Sequence, residues 1–522
     1  MSRASRIRRC GAIIVALAGA LAPASAAGQA VETFDANPSY AIGQPALTDL
    51  WVDPAGGNDA ASGETRDKAL RTVQAAFARV PADLEKAPTG VRLLLAAGTY
   101  HVGPHPGLWF EGRRGTFEHP VIIESADGPG KAVLPPITIA KCRFVYVLGI
   151  RVRASEKFPK DMPIHVIASD HLLVRGVVSV AVGKAPETLP PVNIKCDQSQ
   201  HLFVEDSEFD GAEIVALDYV ACQAGHIVRS KFHRSHLEAI YVKGGSAGFV
   251  IAGNEIWDSR VFGFCAGEGT GFQYMMKPWI HYEAYDIKFV NNVIHDTGGP
   301  AIAVQGGYNC LVAYNTCYRV GRWGSPINVS FGGRGPGSGE WDRTCEELLK
   351  AGGWCSPKRF DGNIPSKNVY IFNNLVLNDS FASERAQFGV AGPIKTPQGS
   401  NLPAEVHADE GLMIRGNVIW NGPAGHPGLA SLADGQPSGY DEKRLLQENA
   451  INRAPLRLVD PERGDFRVVP ESLGESRGAP IPNFAGGDLP PRSEASPGRL
   501  CNQPSCDRTG APRSTLRPGA WQ

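Results

Sequence analysis

GHIVRSKF (Gly225–Phe232) is followed 24 residues on by FVIAGNEI (Phe249–Ile256), then by IKFVNNVI (Ile287–Ile294) and CLVAYNTC (Cys310–Cys317). VYIFNNLV (Val369–Val376) and LMIRGNVI (Leu412–Ile419) continue the series. Each segment alternates apolar and polar residues, as a strand with one buried face does. From the second segment onward an Asn falls two places before the close: Asn254, Asn292, Asn315, Asn374 and Asn417. Phe209, Phe232 and Ile256 close successive segments at spacings of 23 and 24 residues. A fixed period of this length, built from strands, marks a solenoid in which each unit buries its apolar face only by stacking on its neighbours. No helical periodicity competes with it. The expected fold is all-β, a right-handed parallel β-helix. The Asn column is expected to be structural, its stacked amides satisfying turn backbone.

The chain has 522 residues, which a repeat array can fill as a single unit. Lys and Arg number 52 against 53 Asp and Glu, a net charge of -1. That balance gives no global electrostatic case for nucleic acid, and an anionic ligand would have to be met by local cations. The 60 Gly and 40 Pro suit a fold with tight turns in every coil.

Arg3, Arg6, Arg8 and Arg9 precede a short apolar run, Gly11–Leu21, and then Ala24-Ser25-Ala26. This is the pattern of a secretory signal over residues 1–26, so an exported, periplasmic or extracellular protein is expected. The apolar run is too short to span a bilayer. Setting Cys10 aside leaves ten of the 11 cysteines, an even number for an oxidising compartment. Cys345/Cys355 and Cys501/Cys506 are candidate disulfide staples. Cys142, Cys196, Cys222, Cys265, Cys310 and Cys317 read as small buried hydrophobes of the core.

Ahead of the repeats, WVDPAGGNDAASGETRDKALRTVQAAFARV (Trp51–Val80) carries a helical spacing over Ala69–Val80. The buried strand VRLLLAAGTYHV (Val91–Val102) follows. This order resembles the N-terminal cap of secreted β-helix proteins of the pectate-lyase-like superfamily. Such a cap closes the open sheet edge of the first coil. The expected organisation is an extension and cap over 27–120, the β-helix over 121–470 and a C-terminal extension over 471–522. Two long intervals, Ile256 to Ile294 and Cys317 to Val376, read as insertions that build a binding face. Residues after about Gly486 are expected to lie on the surface as a tail.

Chemistry concentrates first in HLEAIYVKGGSAGFVIAGNEI (His236–Ile256). Alternation puts Ile240 and Val242 on the core face and Tyr241 and Lys243 outward. An outward Lys on a rigid sheet, with its pKa lowered by neighbours, is the type of base that removes the C5 proton of a uronate. The uronate carboxylate must then be neutralised by Ca²⁺ or a cationic side chain. The same Lys-Gly-Gly-Ser also reads as plain turn chemistry, Gly supplying positive φ.

The Glu-x-x-x-x-Lys spacing, with its small polar turn and following Asn strand, resembles the catalytic coil of polysaccharide lyase family six. That family includes chondroitinase B and alginate lyases. The resemblance implies Lys243 as Brønsted base and Glu238 as a Ca²⁺ ligand. The family's second acidic ligand falls on His236, whose imidazole suits a hard cation poorly but can pair with a uronate when protonated. The family's catalytic Arg belongs near Phe264, where Arg260 is the nearest substitute.

The first insertion, GFCAGEGTGFQYMMKPWIHYEAYD (Gly263–Asp286), adds Glu268, Tyr274, Trp279, His281, Tyr282 and Glu283. Glu268 should stand about 5 Å above Lys243 along the coil axis. Aromatic rings beside carboxylates suit a sugar subsite, and Tyr274 or His281 could donate a proton. The same rings would also pack an insertion onto its coil. The expected protein is a polysaccharide-degrading enzyme, a lyase acting by β-elimination on an acidic, uronate-containing chain. A glycoside hydrolase is the alternative, using Glu268 with Glu283 or Asp296. A non-catalytic carbohydrate-binding or envelope protein is the third reading, and a C5-epimerase is a near neighbour of the first.

Overall fold

Each coil of the chain lays down three short strands, and each strand pairs in parallel with its counterpart one coil on. The computed structural model describes residues 32–101, 107–154, 158–183, 185–337, 341–356, 363–379, 386–422, 440, 442–485, 500–513 and 515–521. The expected signal over 1–26 lies outside the described residues. Stacking gives three parallel sheets of 12, 12 and 10 strands, a right-handed parallel β-helix. The first face holds Gln223–Val228, Ser246–Ala252 and Ala284–Val290 in successive coils. The second holds Lys231–Ser235, Glu255–Ser259 and Val293–Thr297. The third holds Val192–Asp197, Val215–Val220, Glu238–Lys243, Phe262–Gly267 and Ile302–Gln305.

Register follows the period. Phe209 pairs with Phe232 and Phe232 with Ile256, so the residues that close the repeats stack inside the coil. Phe209 and Phe232 lie ring on ring at 5.1 Å, and Phe264 on Phe289 at 4.0 Å. One hydrophobic core runs the length of the solenoid, with Cys142, Cys196, Cys222, Cys310 and Cys317 in it. Cys265 packs instead on the outer side of the third face with Tyr241 and Val215.

The Asn column forms a ladder. The backbone N–H of Asn254 donates to Asn292 Oδ1, that of Asn292 to Asn315 and that of Asn315 to Asn374, each at 3.0 Å. In earlier coils Ser230 and Ser207 take the same place. A buried turn amide needs an acceptor, and a short side chain from the next coil supplies it.

The N-terminal cap is a shorter helix than the spacing suggests. It spans Val73–Ala78, with Thr72 as N-cap accepting from the backbone N–H of Ala75. Leu70 belongs instead to a bridge with Val52, and Asp59 accepts the N–H groups of Arg71 and Thr72. Those bonds hold the chain extended until Val73.

Two further expectations are corrected. Cys345, Cys355, Cys501 and Cys506 are all buried, and no disulfide joins them among the described residues. Cys345 and Cys355 pack in one small cluster with Phe272 and Leu348. Of the expected surface tail, residues 486–499 lie outside the described residues, while residues 500–513 pack against the coils. Lys288 Nζ donates to the Cys501 carbonyl and Asn502 Oδ1, and Arg508 donates to the Asn254 carbonyl. Among the described residues no helix is long and apolar enough to cross a membrane.

Candidate active site on the third face

The strand Glu238–Lys243 departs from strict alternation at one step. Ala239 and Ile240 are both fully buried in the core, and Val242 follows them inward. This slip leaves Glu238, Tyr241 and Lys243 together on the outer side, where strict alternation would have turned Glu238 into the core. The strand below repeats it: Ala216 and Leu217 both point inward, and Asp218 faces out directly under Tyr241. Lys195 lies one coil further down in the same column.

The outward groups form two lysine–carboxylate pairs around a third carboxyl. Lys195 Nζ is 2.5 Å from Asp218 Oδ2 and 3.2 Å from Asp197. Lys243 Nζ is 2.6 Å from Glu268 Oε2 and 4.1 Å from the centre of the Tyr241 ring. Asp218 Oδ1 is buried and has no hydrogen-bond partner among the described residues. Glu238 is sunk at 8% exposure, while the Glu268 side chain is 41% exposed at the rim. Burial, reinforced by the Glu268 charge, pushes the Glu238 carboxyl up to about 7. A carboxyl that holds its proton near neutrality, set among carboxylates paired with lysines, is the usual environment of a general acid.

Lys243 differs from its expected state. Burial works against its charge, but Asp218 and Glu268 outweigh burial and hold its pKa above the ordinary lysine value. In this geometry it is an ammonium, not a ready base. Tyr241 lies beneath it with little exposure, and its hydroxyl pKa is raised by burial.

Glu268 owes its position to the insertion. Its backbone φ of 111° lies in a region that L residues rarely adopt, a strain of about 1–3 kcal/mol. It is held by its N–H on the Gln305 carbonyl and by its own carbonyl accepting from Gly333. The two insertions pair with each other there: Gly269–Gly271 lies parallel to Gly333–Gly335. Thr270 is opposite Arg334 in that ribbon, which becomes a wall above Lys243.

Glu283 anchors the wall and is removed from the candidate substrate-binding set. Arg334 reaches Glu283 Oε1 at 2.6 Å, and both side chains have no exposed surface. Glu283 Oε2 accepts from Gly244 N–H and Thr270 Oγ1. Arg334 Nη1 donates further to the carbonyls of Ile280, His281 and Trp354. Trp279 is likewise corrected: it is 5% exposed and packs edge-on against Tyr285. Tyr282 fits among Tyr285, Tyr308 and Trp354. His281 Nε2 bonds the Gly352 carbonyl, and burial lowers its pKa. Tyr274 remains on the rim, its ring 53% exposed and its carbonyl accepting from Gln198.

His236 and Arg260 do not join Lys243. They line a separate cleft of about 440 Å³ where the second face turns into the third, with Arg234, Asp258, Arg319 and Trp323. Arg260 Nη1 lies 3.4 Å from His236 Nε2, so the imidazole accepts there. In the sequence, Leu237 alone separates this cleft's His236 from Glu238 of the candidate site.

Glu238 belongs to no group of three convergent ligand atoms among the described residues. The Lys243 ammonium already sits on Glu268, where a cation would have to bind. Sequence reasoning missed Lys195, Asp218 and Arg334. The first two were within reach, since Asp218 is 23 residues before Tyr241 and Lys195 is 23 before Asp218.

No family model matches the chain, and no curated protein matches it either. Among solved structures it is similar to pectate lyase Pel9A at 14% identity and TM-score 0.37, over 76% of this chain and 81% of that one. The A-module of Azotobacter vinelandii mannuronan C-5 epimerase AlgE4 aligns at 12% identity and TM-score 0.34, over 64% and 86%. The Streptococcus pneumoniae surface protein and adhesin PfbA aligns at 11% identity and TM-score 0.41, over 70% and 91%. The assignment of a parallel β-helix rests on the chain's own three stacked parallel sheets.

Proposed function

We propose that this protein is an exported enzyme that cleaves an acidic polysaccharide by hydrolysis, with Glu238 as general acid. The observation that carries the reading is the Glu238 carboxyl, raised to about 7 beside the paired carboxylates of Glu268 and Asp218. Two carboxyl groups pushed to different protonation states are what glycosidic cleavage uses. The Glu238 proton passes to the leaving oxygen as the bond from C1 breaks. Glu268, at the rim, takes a proton from the water that adds to C1. The separate cleft lined by Arg260, His236 and the half-exposed Trp323 suits a carboxylate-bearing sugar ring. Export rests on the sequence pattern of residues 1–26.

β-Elimination is the second reading, favoured by one feature of Lys243. Its charge persists only because carboxylates offset burial. A substrate that drew Glu268 away would leave a buried ammonium prone to lose its proton, which is the state a C5 base needs. Product analysis separates the two. The purified protein is incubated with alginate, pectate, chondroitin and related chains, beside Glu238→Gln and Lys243→Ala. Hydrolysis yields reducing ends without ultraviolet absorbance from unsaturated uronate, and Glu238→Gln abolishes it. Absorbance that vanishes in Lys243→Ala would replace hydrolysis with elimination, and no product from any chain would overturn both.

A further inference from the structure

A second constellation lies on the outer side of the first face, where Arg143–Leu148, Asp170–Arg175 and Gln200–Glu205 stack in successive coils. Asp170 Oδ1 receives two imidazoles at once: His171 Nδ1 at 2.8 Å and His201 Nδ1 at 2.7 Å. These three potential ligand atoms all lie within 4.8 Å of one another. The two rings are stacked at 4.2 Å, and Phe144 continues the stack below His171 at 4.1 Å. The side chains are partly exposed, 23% for each His and 31% for Asp170, so solvent reaches the cluster.

The fold does not itself demand histidine here. The same position in neighbouring coils is Phe144 and Ala224, with φ of 51° and 61° beside 56° for His171 and 50° for His201. Two of the chain's 13 histidines therefore occupy a column that other residues fill equally well. Both turn the same ring nitrogen toward one carboxylate oxygen.

We propose that Asp170, His171 and His201 form a binding site for a divalent transition metal of the zinc class, independent of the catalytic reading above. Two imidazole nitrogens and one carboxylate oxygen make a donor set that zinc accepts and a hard cation such as calcium does not favour. An imidazole that carries its proton on Nε2 has its Nδ1 lone pair free for the ion. Coordination needs the donor atoms to spread slightly from their present spacing, because each bond to zinc is about 2.0–2.2 Å. Water completes the coordination on the exposed side. Arg143, with Nε 3.6 Å from Asp170 Oδ2, places a cation beside the site and weakens it. Asp170 and His171 come from one coil and His201 from the next, so a bound ion cross-links two coils. An ion that binds only the folded chain then raises its stability by mass action.

The test uses the full mature chain, free of any histidine tag and stripped with a chelator. Zinc chloride is titrated by calorimetry and by thermal unfolding, with calcium chloride as control. The expected result is one zinc per chain, with a thermal midpoint that rises with zinc and not with calcium. The double variant His171→Ala/His201→Ala should unfold like the wild type without zinc and lose the zinc-dependent rise. Its zinc affinity should fall more than about 10-fold, the least that removal of even an outer-sphere partner produces. Arg143→Gln should bind zinc more tightly than the wild type. Absence of stoichiometric zinc binding, or binding retained in the double variant, would overturn the proposal.

Discussion

Replacing Glu238 with Gln should stabilise the protein at alkaline pH while removing its activity. The folded carboxyl titrates at about 7 where its ordinary value is 4.5, because burial and the Glu268 charge oppose ionisation. A raised carboxyl pKa means that the folded state binds more protons than the unfolded state between those two values. Its contribution to stability is therefore full below about 4.5 and lost as pH rises through about 7. At about 1.36 kcal/mol per pH unit, the loss approaches an order of 3 kcal/mol by pH 8. Glutamine is nearly isosteric and carries no charge, so Glu238→Gln removes this penalty. Urea unfolding of wild type and variant from pH 4 to pH 9 is the assay. The two curves should coincide near pH 4, separate in favour of the variant as pH rises from about 4.5 to about 7, and keep a constant gap above that. A variant that tracks the wild type at every pH, or is weaker at pH 8, would refute the assignment of a buried, protonated Glu238.

The wall above the site depends on one buried ion pair. Arg334→Ala should cost about 3–5 kcal/mol, because Glu283 is left charged and fully buried, and thermal unfolding reads the loss. The paired replacement Arg334→Met/Glu283→Leu should recover only part of that stability, because it removes the stranded charge but leaves Gly244 N–H and Thr270 Oγ1 without their acceptor. Asn292→Ala removes the acceptor of both the backbone and side-chain N–H of Asn254. Each stranded donor costs about 1–3 kcal/mol, measured by chemical denaturation. Lys243→Ala leaves Glu268 without its ammonium and Glu238 beside a bare carboxylate, so the alkaline limb of activity should move to higher pH.

The solenoid was legible because its period is carried by residues that have no alternative use. A Phe or Ile that closes one segment must stack on its counterpart, and Asn254, Asn292 and Asn315 must each satisfy the amide below. The contact of Lys243 with Glu268 was legible for the same reason, since the coil period places one above the other. The outward position of Glu238 was not, because it depends on a local slip at Ala239–Ile240 that alternation does not encode. Glu283 was misread as a ligand for substrate because its partner Arg334 lies 51 residues away in the other insertion. Two irregular segments that pair with each other carry no period, so nothing in either one announces the other. The protonation states of Glu238 and Lys243 were likewise out of reach, being set by burial and by charges from neighbouring coils.

The most direct test of the account is the pH profile of polysaccharide cleavage by wild type and Glu238→Gln, read as reducing ends released. Wild-type activity should decline as pH rises through about 7, where Glu238 gives up its proton, and the folded Glu238→Gln protein should be inactive at every pH. Undiminished cleavage by Glu238→Gln, with an unchanged pH profile, would contradict the central claim that this buried carboxyl is the proton donor.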